Sequence, residues 1–221
     1  MSKSIVIFGK GPSLSRCTRE FVDNFDDIAI CNYPHINTFF YSLIKNRTIL
    51  YHFANCGSFD KRYTDNVNKH LHIKGIYNSH YKGVLKYKKF LQDTSLFKEN
   101  IREPQKKFFK QKGFDPSTGT LGFKYILDSK KYNKIALVGF DNFKKGDPVY
   151  YYPTKDYNDK IKYIVNRNDI TKEGIQNVVS GHDSDKTQQY YESVFTDYSH
   201  IQFDIITNMN IQLQLDNLTI I

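Results

Sequence analysis

Four short polar stretches hold the side chains of this sequence best suited to a charged, hydroxyl-rich ligand. They are Gly9-Lys10-Gly11-Pro12-Ser13, Cys31-Asn32-Tyr33, Ala54-Asn55-Cys56 and Ser117-Thr118-Gly119. The first three follow apolar, strand-like runs, and the fourth opens a helix-like segment. An asparagine amide offers donor and acceptor together, which suits sugar hydroxyls and the edge of a pyrimidine. A Ser-Thr-Gly helix opening turns N–H groups and the positive helix end toward a carboxylate or phosphate. Taken singly, the glycine stretch also reads as an ordinary tight turn, and either asparagine as a strand terminator. Ligands in parallel sheets bind beyond the carboxyl ends of the strands, so four such stretches in register define a candidate site.

The glycine stretch departs from both familiar phosphate loops. Ile5-Val6-Ile7-Phe8 suits a buried strand, the two glycines a tight turn, and Pro12 and Ser13 a helix start. That arrangement places backbone N–H groups beside an anion and points to a nucleotide. The dinucleotide fingerprint requires a third glycine where Leu14 stands, and an acidic ribose ligand where Asn32 stands. The Walker loop requires Gly-Lys-Ser/Thr, whereas Lys10 is followed by Gly11 and by Pro12, which has no N–H.

Strand-like and helix-like segments alternate along the chain, the pattern of an α/β fold. Strands are expected near Ile5 to Phe8, Asp27 to Cys31, Thr48 to Phe53, Leu71 to Tyr77, Lys134 to Val138 and His200 to Ile206. The clearest helix runs from Thr120 to Lys130, with a stripe of Phe123, Ile126 and Leu127, and leads into IALVGFDNF, which reads as a strand buried on both faces. Residues between Asn142 and Gly181 are polar, without sustained apolar periodicity, and too numerous for a simple connection. The expected architecture is therefore one Rossmann-like domain, residues 1–141 and 182–221, with a mostly parallel sheet, helices on both faces and a lid at 142–181. The C-terminal IQLQLDNLTII reads as an edge strand or a surface-seeking tail.

Composition narrows the class further. A chain of 221 residues with no apolar run of about 18 and no signal-peptide cleavage region is expected to stay in the cytosol. Cys17, Cys31 and Cys56 are odd in number and share no CxxC spacing, so neither a disulfide framework nor a zinc site is expected. The formal charge of +9 is concentrated between Tyr81 and Lys112, where ten Lys or Arg face only Asp93, Glu99 and Glu103. Such a stretch suits a solvated helical face or an anionic membrane surface, and no nucleic-acid-binding motif accompanies it.

The segments IVIFGKGPSL, AICNY, YHFANCGS, STGTLGFKYILDSKKYNKIALVGFDNF and SGHDSDKTQQYYESV, in this order, resemble the bacterial sialyltransferases of glycosyltransferase family 42. The resemblance covers most of the chain. It implies a CMP-sugar site formed by Gly9, Lys10, Gly11, Pro12, Ser13, Asn32, Asn55, Ser117, Thr118 and Gly119, with His182 as general base. It further implies lid tyrosines that hydrogen-bond the departing phosphate in place of a metal, for which Tyr150, Tyr151 and Tyr152 are the candidates. An imidazole titrating near neutrality suits removal of a proton from an acceptor hydroxyl as that oxygen attacks the anomeric carbon, displacing CMP and inverting the centre.

Asp183-Ser184-Asp185 has the Asp-x-Asp form that binds Mg or Mn in other glycosyltransferases. Its place before a helix instead suits capping and the helix dipole, so no metal and no other cofactor is expected. Lys10 stands where the family's loop has asparagine, Phe143 where a lid tyrosine is expected, and Asp115-Pro116 where an arginine is expected. The resulting reading is an inverting, metal-independent transferase of a sialic acid-like sugar from its CMP donor. The acceptor is a glycan of a surface lipooligosaccharide or capsule, with peripheral contact at the inner membrane. Family resemblance adds a homo-oligomer, a tetramer. The alternatives are transfer of another CMP-activated acid such as Kdo, and a non-catalytic nucleotide- or polyanion-binding module.

Overall fold

The order of the strands, rather than their number, decides where a ligand can sit. The computed structural model describes residues 3–32, 38–55, 71–80, 94–142 and 183–221. Strands among these are β1 (Ser4–Phe8), β2 (Asp27–Cys31), β3 (Thr48–Ala54), β4 (His72–Ile73), β5 (Ile76–Asn78), β6 (Phe97–Asn100), β7 (Lys134–Val138), β8 (Gln202–Ile206) and β9 (Leu218–Ile220). They form one sheet in the order β6-β5-β3-β2-β1-β7-β8-β9, with β4 also beside β3, and every pairing is parallel. From β1 the chain winds outward through β2 and β3, whereas β7, β8 and β9 build the opposite side. The winding therefore reverses between β1 and β7, and the crevice beyond their carboxyl ends is the topological switch point.

Each sheet face is covered, as the β-branched runs of the central strands require. One core joins the sheet to α3 (Arg102–Lys112), α4 (Thr118–Ser129) and α5 (Ser184–Asp197) through Phe109, Leu121, Phe123, Tyr191 and Phe195. The other packs Leu14, Val22, Phe40 and Leu43 of a 3-10 turn, α1 (Arg19–Asp23) and α2 (Thr38–Ile44) onto the opposite face. The single α/β domain with helices on both faces agrees with the sequence reading.

Three local features differ from that reading. Pro12–Arg16 forms a 3-10 turn, not the start of an α-helix, because Leu14 N–H bonds back to Gly11 O at 3.1 Å. The strand expected over Leu71 to Tyr77 breaks in two around Lys74 and Gly75. In the C-terminal segment only Leu218–Ile220 pairs, as an edge strand on β8. The lid at 142–181 falls, apart from Asn142, outside the described residues, as do His182, Tyr150, Tyr151 and Tyr152.

The basic stretch is described from residue 94 onward, where α3 exposes Lys106, Lys107, Lys110 and Lys112 and buries Phe109. No described helix is long and apolar enough to cross a membrane. Cys17 and Cys31 are free and buried; burial pushes the Cys17 thiol up to about 12 and raises that of Cys31 further, so both stay protonated.

Candidate functional site

At the switch point the ends of β1, β7 and β8 are drawn together more tightly than a ligand loop alone requires. Phe8 is level with Val138, and the two strands run on into Gly9 and Gly139. Gly9 N–H donates to Val138 O at 2.7 Å and Gly11 N–H to Gly139 O at 2.8 Å. A Cβ on Gly9 would lie 2.3 Å from Gly139 O, and one on Gly11 would lie 2.3 Å from Asp141 Oδ2. Both glycines are thus required by backbone and carboxylate approach within the protein.

Asp141 completes the closure. Its Oδ2 accepts from Ser13 N–H at 2.7 Å and its Oδ1 from Asn208 N–H at 2.7 Å, joining the β1, β7 and β8 ends through one carboxylate. Ser13 Oγ donates to Ile206 O at 3.0 Å, and the residue is 1% exposed. The N–H groups of Gly9, Gly11, Ser13 and Leu14 are therefore all engaged inside the fold, and Pro12 has none. These N–H groups serve the β7 end and the loop itself, through Val138 O, Gly139 O, Asp141 Oδ2 and Gly11 O, while the Ser13 hydroxyl reaches the end of β8, so this loop acts as a structural clasp. Half-buried Lys10 remains at its tip, its cation opposing the upward shift of the Cys31 thiol.

The asparagines behave differently. Asn32 adopts a left-handed backbone, φ 53°, directly after β2, a conformation that asparagine tolerates better than most residues. Its N–H donates to Phe53 O at 2.6 Å, and its Oδ1 accepts from Asn55 N–H at 3.1 Å. The ends of β2 and β3 are thereby locked to each other, with both asparagines half-buried at the same edge of the sheet.

The Ser-Thr-Gly stretch divides its work among three residues. Ser117 is the N-cap of α4, its Oγ accepting from Thr120 N–H at 3.2 Å. Gly119 lies under the Phe140 ring, where a Cβ would come within 2.9 Å. Thr118 Oγ1 shares a hydrogen bond of 2.8 Å with Ser79 Oγ, and Ser79 follows β5. The N–H groups of Thr118 and Gly119, in the first turn of α4, meet no acceptor among the described residues, as is usual at a helix start.

Sequence reasoning missed Asn78-Ser79, Asp141, Arg102 and His52. Asn78-Ser79-His80 was a polar run just beyond an expected strand, the same signal that identified Asn32 and Asn55. Arg102 had no such signal: it reaches the site from α3, ion-paired with Asp115 and 3.5 Å from Ser79 O. A guanidinium thus stands beside Asp115-Pro116, the position where the sequence lacks one. Asp183, read as a cap, is the N-cap of α5: its Oδ1 accepts from Lys186 N–H at 3.0 Å, and that bond with the Lys186 cation holds its carboxyl below the usual range. Among the described residues no three His, Cys, Asp or Glu side chains gather as a metal site.

No protein-family model matches the chain, and no curated protein matches it. The fold does match solved structures. A variant of the sialyltransferase CST-II in complex with CMP aligns with a TM-score of 0.57 and 16% identity, covering 97% of this chain and 91% of that one. CST-II in complex with a trisaccharide acceptor and CMP aligns at 0.53 and 15%, covering 92% and 81%. A mammalian sialyltransferase in complex with Gal-beta-1-3GalNAc-ortho-nitrophenol aligns at 0.51 and 14%, covering 91% and 69%.

Proposed function

We propose that the chain is a glycosyltransferase that takes a sialic acid-like sugar from a CMP donor. One observation carries this reading: the Asn32 and Asn55 pair and the open first turn of α4 lie together at the carboxyl edge of a sheet whose fold is shared with sialyltransferases bound to CMP. The asparagine amides suit the nucleoside, and the N–H groups of Thr118 and Gly119 suit the phosphate or the sugar carboxylate. Half-buried Lys10 supplies a cation for the same anions. Gly9, Gly11, Pro12 and Ser13 shape the floor by closing the β1, β7 and β8 ends.

His182 is the proposed general base and Tyr150, Tyr151 and Tyr152 the proposed phosphate donors, by the family resemblance of their segments. The flanking structure is compatible with that role. Asp183 opens α5, and the next residue, Ser184, accepts a hydrogen bond on its carbonyl from Asn142 Nδ2, one residue beyond Asp141. Attack by the acceptor hydroxyl on the anomeric carbon would release CMP, with the proton passing to His182 and the leaving phosphate stabilised by phenol O–H groups rather than a metal. The acceptor is proposed as a surface glycan. Kdo from CMP-Kdo is the second donor to be assayed, because Lys10, Phe143 and Asp115-Pro116 depart from the family's pattern.

The test is calorimetric titration in EDTA with CMP, UMP, AMP and GMP, followed by assay of CMP-sialic acid and CMP-Kdo as donors. Selective CMP binding and transfer from either donor are expected. Failure of CMP to bind would overturn the reading.

A further inference from the structure

In the middle of the sheet, β3 carries a histidine between aromatic neighbours. His52 lies between Ile30 of β2 and Ile76 of β5 and is 0% exposed. Its Nε2 is 2.8 Å from the carbonyl oxygen of Asn32. A carbonyl only accepts, so Nε2 carries the proton and the ring is the neutral Nε2–H tautomer. Burial agrees, lowering the imidazole pKa to about 4.

Asn32 is thereby held at three points by β3 and its end: N–H to Phe53 O, carbonyl to His52 Nε2, and Oδ1 to the Asn55 N–H. A left-handed asparagine held by its peptide alone would be free to rotate its amide. Here the oxygen of the amide is already engaged, and the Nδ2 amino group meets no acceptor among the described residues. The amide therefore offers the crevice a donor and cannot offer an acceptor without breaking the bond to Asn55.

We propose that His52 is a positioning residue that sets the preference for cytosine over uracil, by fixing the Asn32 peptide so that its amide presents only N–H to the base. This rests on the CMP-donor reading above. Cytosine N3 is an acceptor and complements Nδ2–H; uracil N3 carries a proton and opposes it. Without the imidazole the Asn32 turn relaxes, the amide rotates, and both pyrimidines are accommodated.

The experiment compares CMP and UMP affinities of the full chain with those of His52→Val, His52→Leu and His52→Gln. The apolar variants should lower the CMP-to-UMP affinity ratio by about tenfold or more, and His52→Gln, which retains an N–H donor, should restore much of it. Thermal melting establishes that each variant is folded. In the unaltered protein the Nε2–H proton resonance of His52 should shift on saturation with CMP, which keeps the test decisive if the apolar variants do not fold. An unchanged ratio in a folded apolar variant, an equal loss of affinity for both nucleotides, or a resonance indifferent to CMP would overturn the proposal. If the unaltered protein binds no CMP, the donor reading itself fails; if it binds CMP selectively and the His52 variants keep that selectivity, only this inference fails.

Discussion

The side-chain amide of Asn142 donates to the backbone carbonyl of Ser184, so residues 42 positions apart hold the start of α5 against the end of the β7 segment. The residue two positions before Ser184 is His182. His182→Ala should lower transfer by two to four orders of magnitude, as roughly expected for loss of a general base, while CMP affinity changes by less than about threefold. Paired rate and calorimetric measurements check this, and retained transfer would dismiss the proposed base.

Thr118→Val keeps the shape of the side chain but removes the hydroxyl shared with Ser79 at 2.8 Å. Donor KM should rise by roughly five- to twentyfold, the order expected for one polar contact and the disturbed first turn of α4. The melting temperature should change little. An unchanged KM would show that the nucleotide does not use this turn.

Gly11→Ala would place a Cβ 2.3 Å from the Asp141 carboxylate. The clasp joining Ser13 and Asn208 would have to open, leaving N–H groups at Ser13 and Asn208 without their acceptor. Destabilisation of about 2–4 kcal/mol is expected by urea denaturation, from lost buried hydrogen bonds and the overpacked contact. A loss below about 0.5 kcal/mol would mean that the loop relaxes freely.

His52 makes stability depend on pH in a predictable direction. Its pKa falls on folding from 6.5 to about 4, so between those values the unfolded chain binds more protons than the native one. The contribution is complete above pH 6.5, is lost as pH falls toward 4, and does not change further below it. At about 1.4 kcal/mol per unit, native His52 should cost up to about 3 kcal/mol of stability across that interval relative to His52→Gln. Denaturation midpoints of the two proteins between pH 4 and 7 give the difference curve, in which the carboxylates common to both cancel to about 0.5 kcal/mol. Parallel curves would contradict the buried neutral imidazole.

Asp183→Ala removes the N-cap of α5 and one of the two partners of the Lys186 cation among the described residues, the other being Gly113 O. Thermal stability should fall modestly, and CMP affinity should be the same in EDTA and in added Mg or Mn for both proteins. Binding that requires the metal, and that Asp183→Ala abolishes, would return the Asp-x-Asp motif to the site.

Apolar runs carried most of the strand assignments, because a buried parallel strand needs continuous β-branched and aromatic residues and little else. Ile5 to Phe8, Asp27 to Cys31 and Lys134 to Val138 emerge within a residue of their positions in the sheet. The short edge strands, Phe97–Asn100 and Leu218–Ile220, were harder to read: at the sheet edge consecutive residues stay exposed, so polar residues such as Lys98, Glu99 and Thr219 enter. Thr118 was legible because Ser-Thr-Gly opens a helix-like segment, and Asn32 and Asn55 because a polar residue ending an apolar run has little reason to be there except a turn or a ligand. Ser79 gave the same signal after β5.

What the sequence determined by itself was an α/β sheet and a set of polar strand ends, since local residue types and periodicity dictate both. Which strand ends meet was decided by the tertiary structure. Only the β1–β7 reversal brings Gly11 against Asp141 and turns Ser13 inward; only the β2–β3 pairing lays His52 under Asn32; and only the docking of α3 carries Arg102 to Asp115. These are contacts between residues 13 to 130 positions apart, and their physical cause is the burial of two apolar sheet faces, which no local pattern encodes.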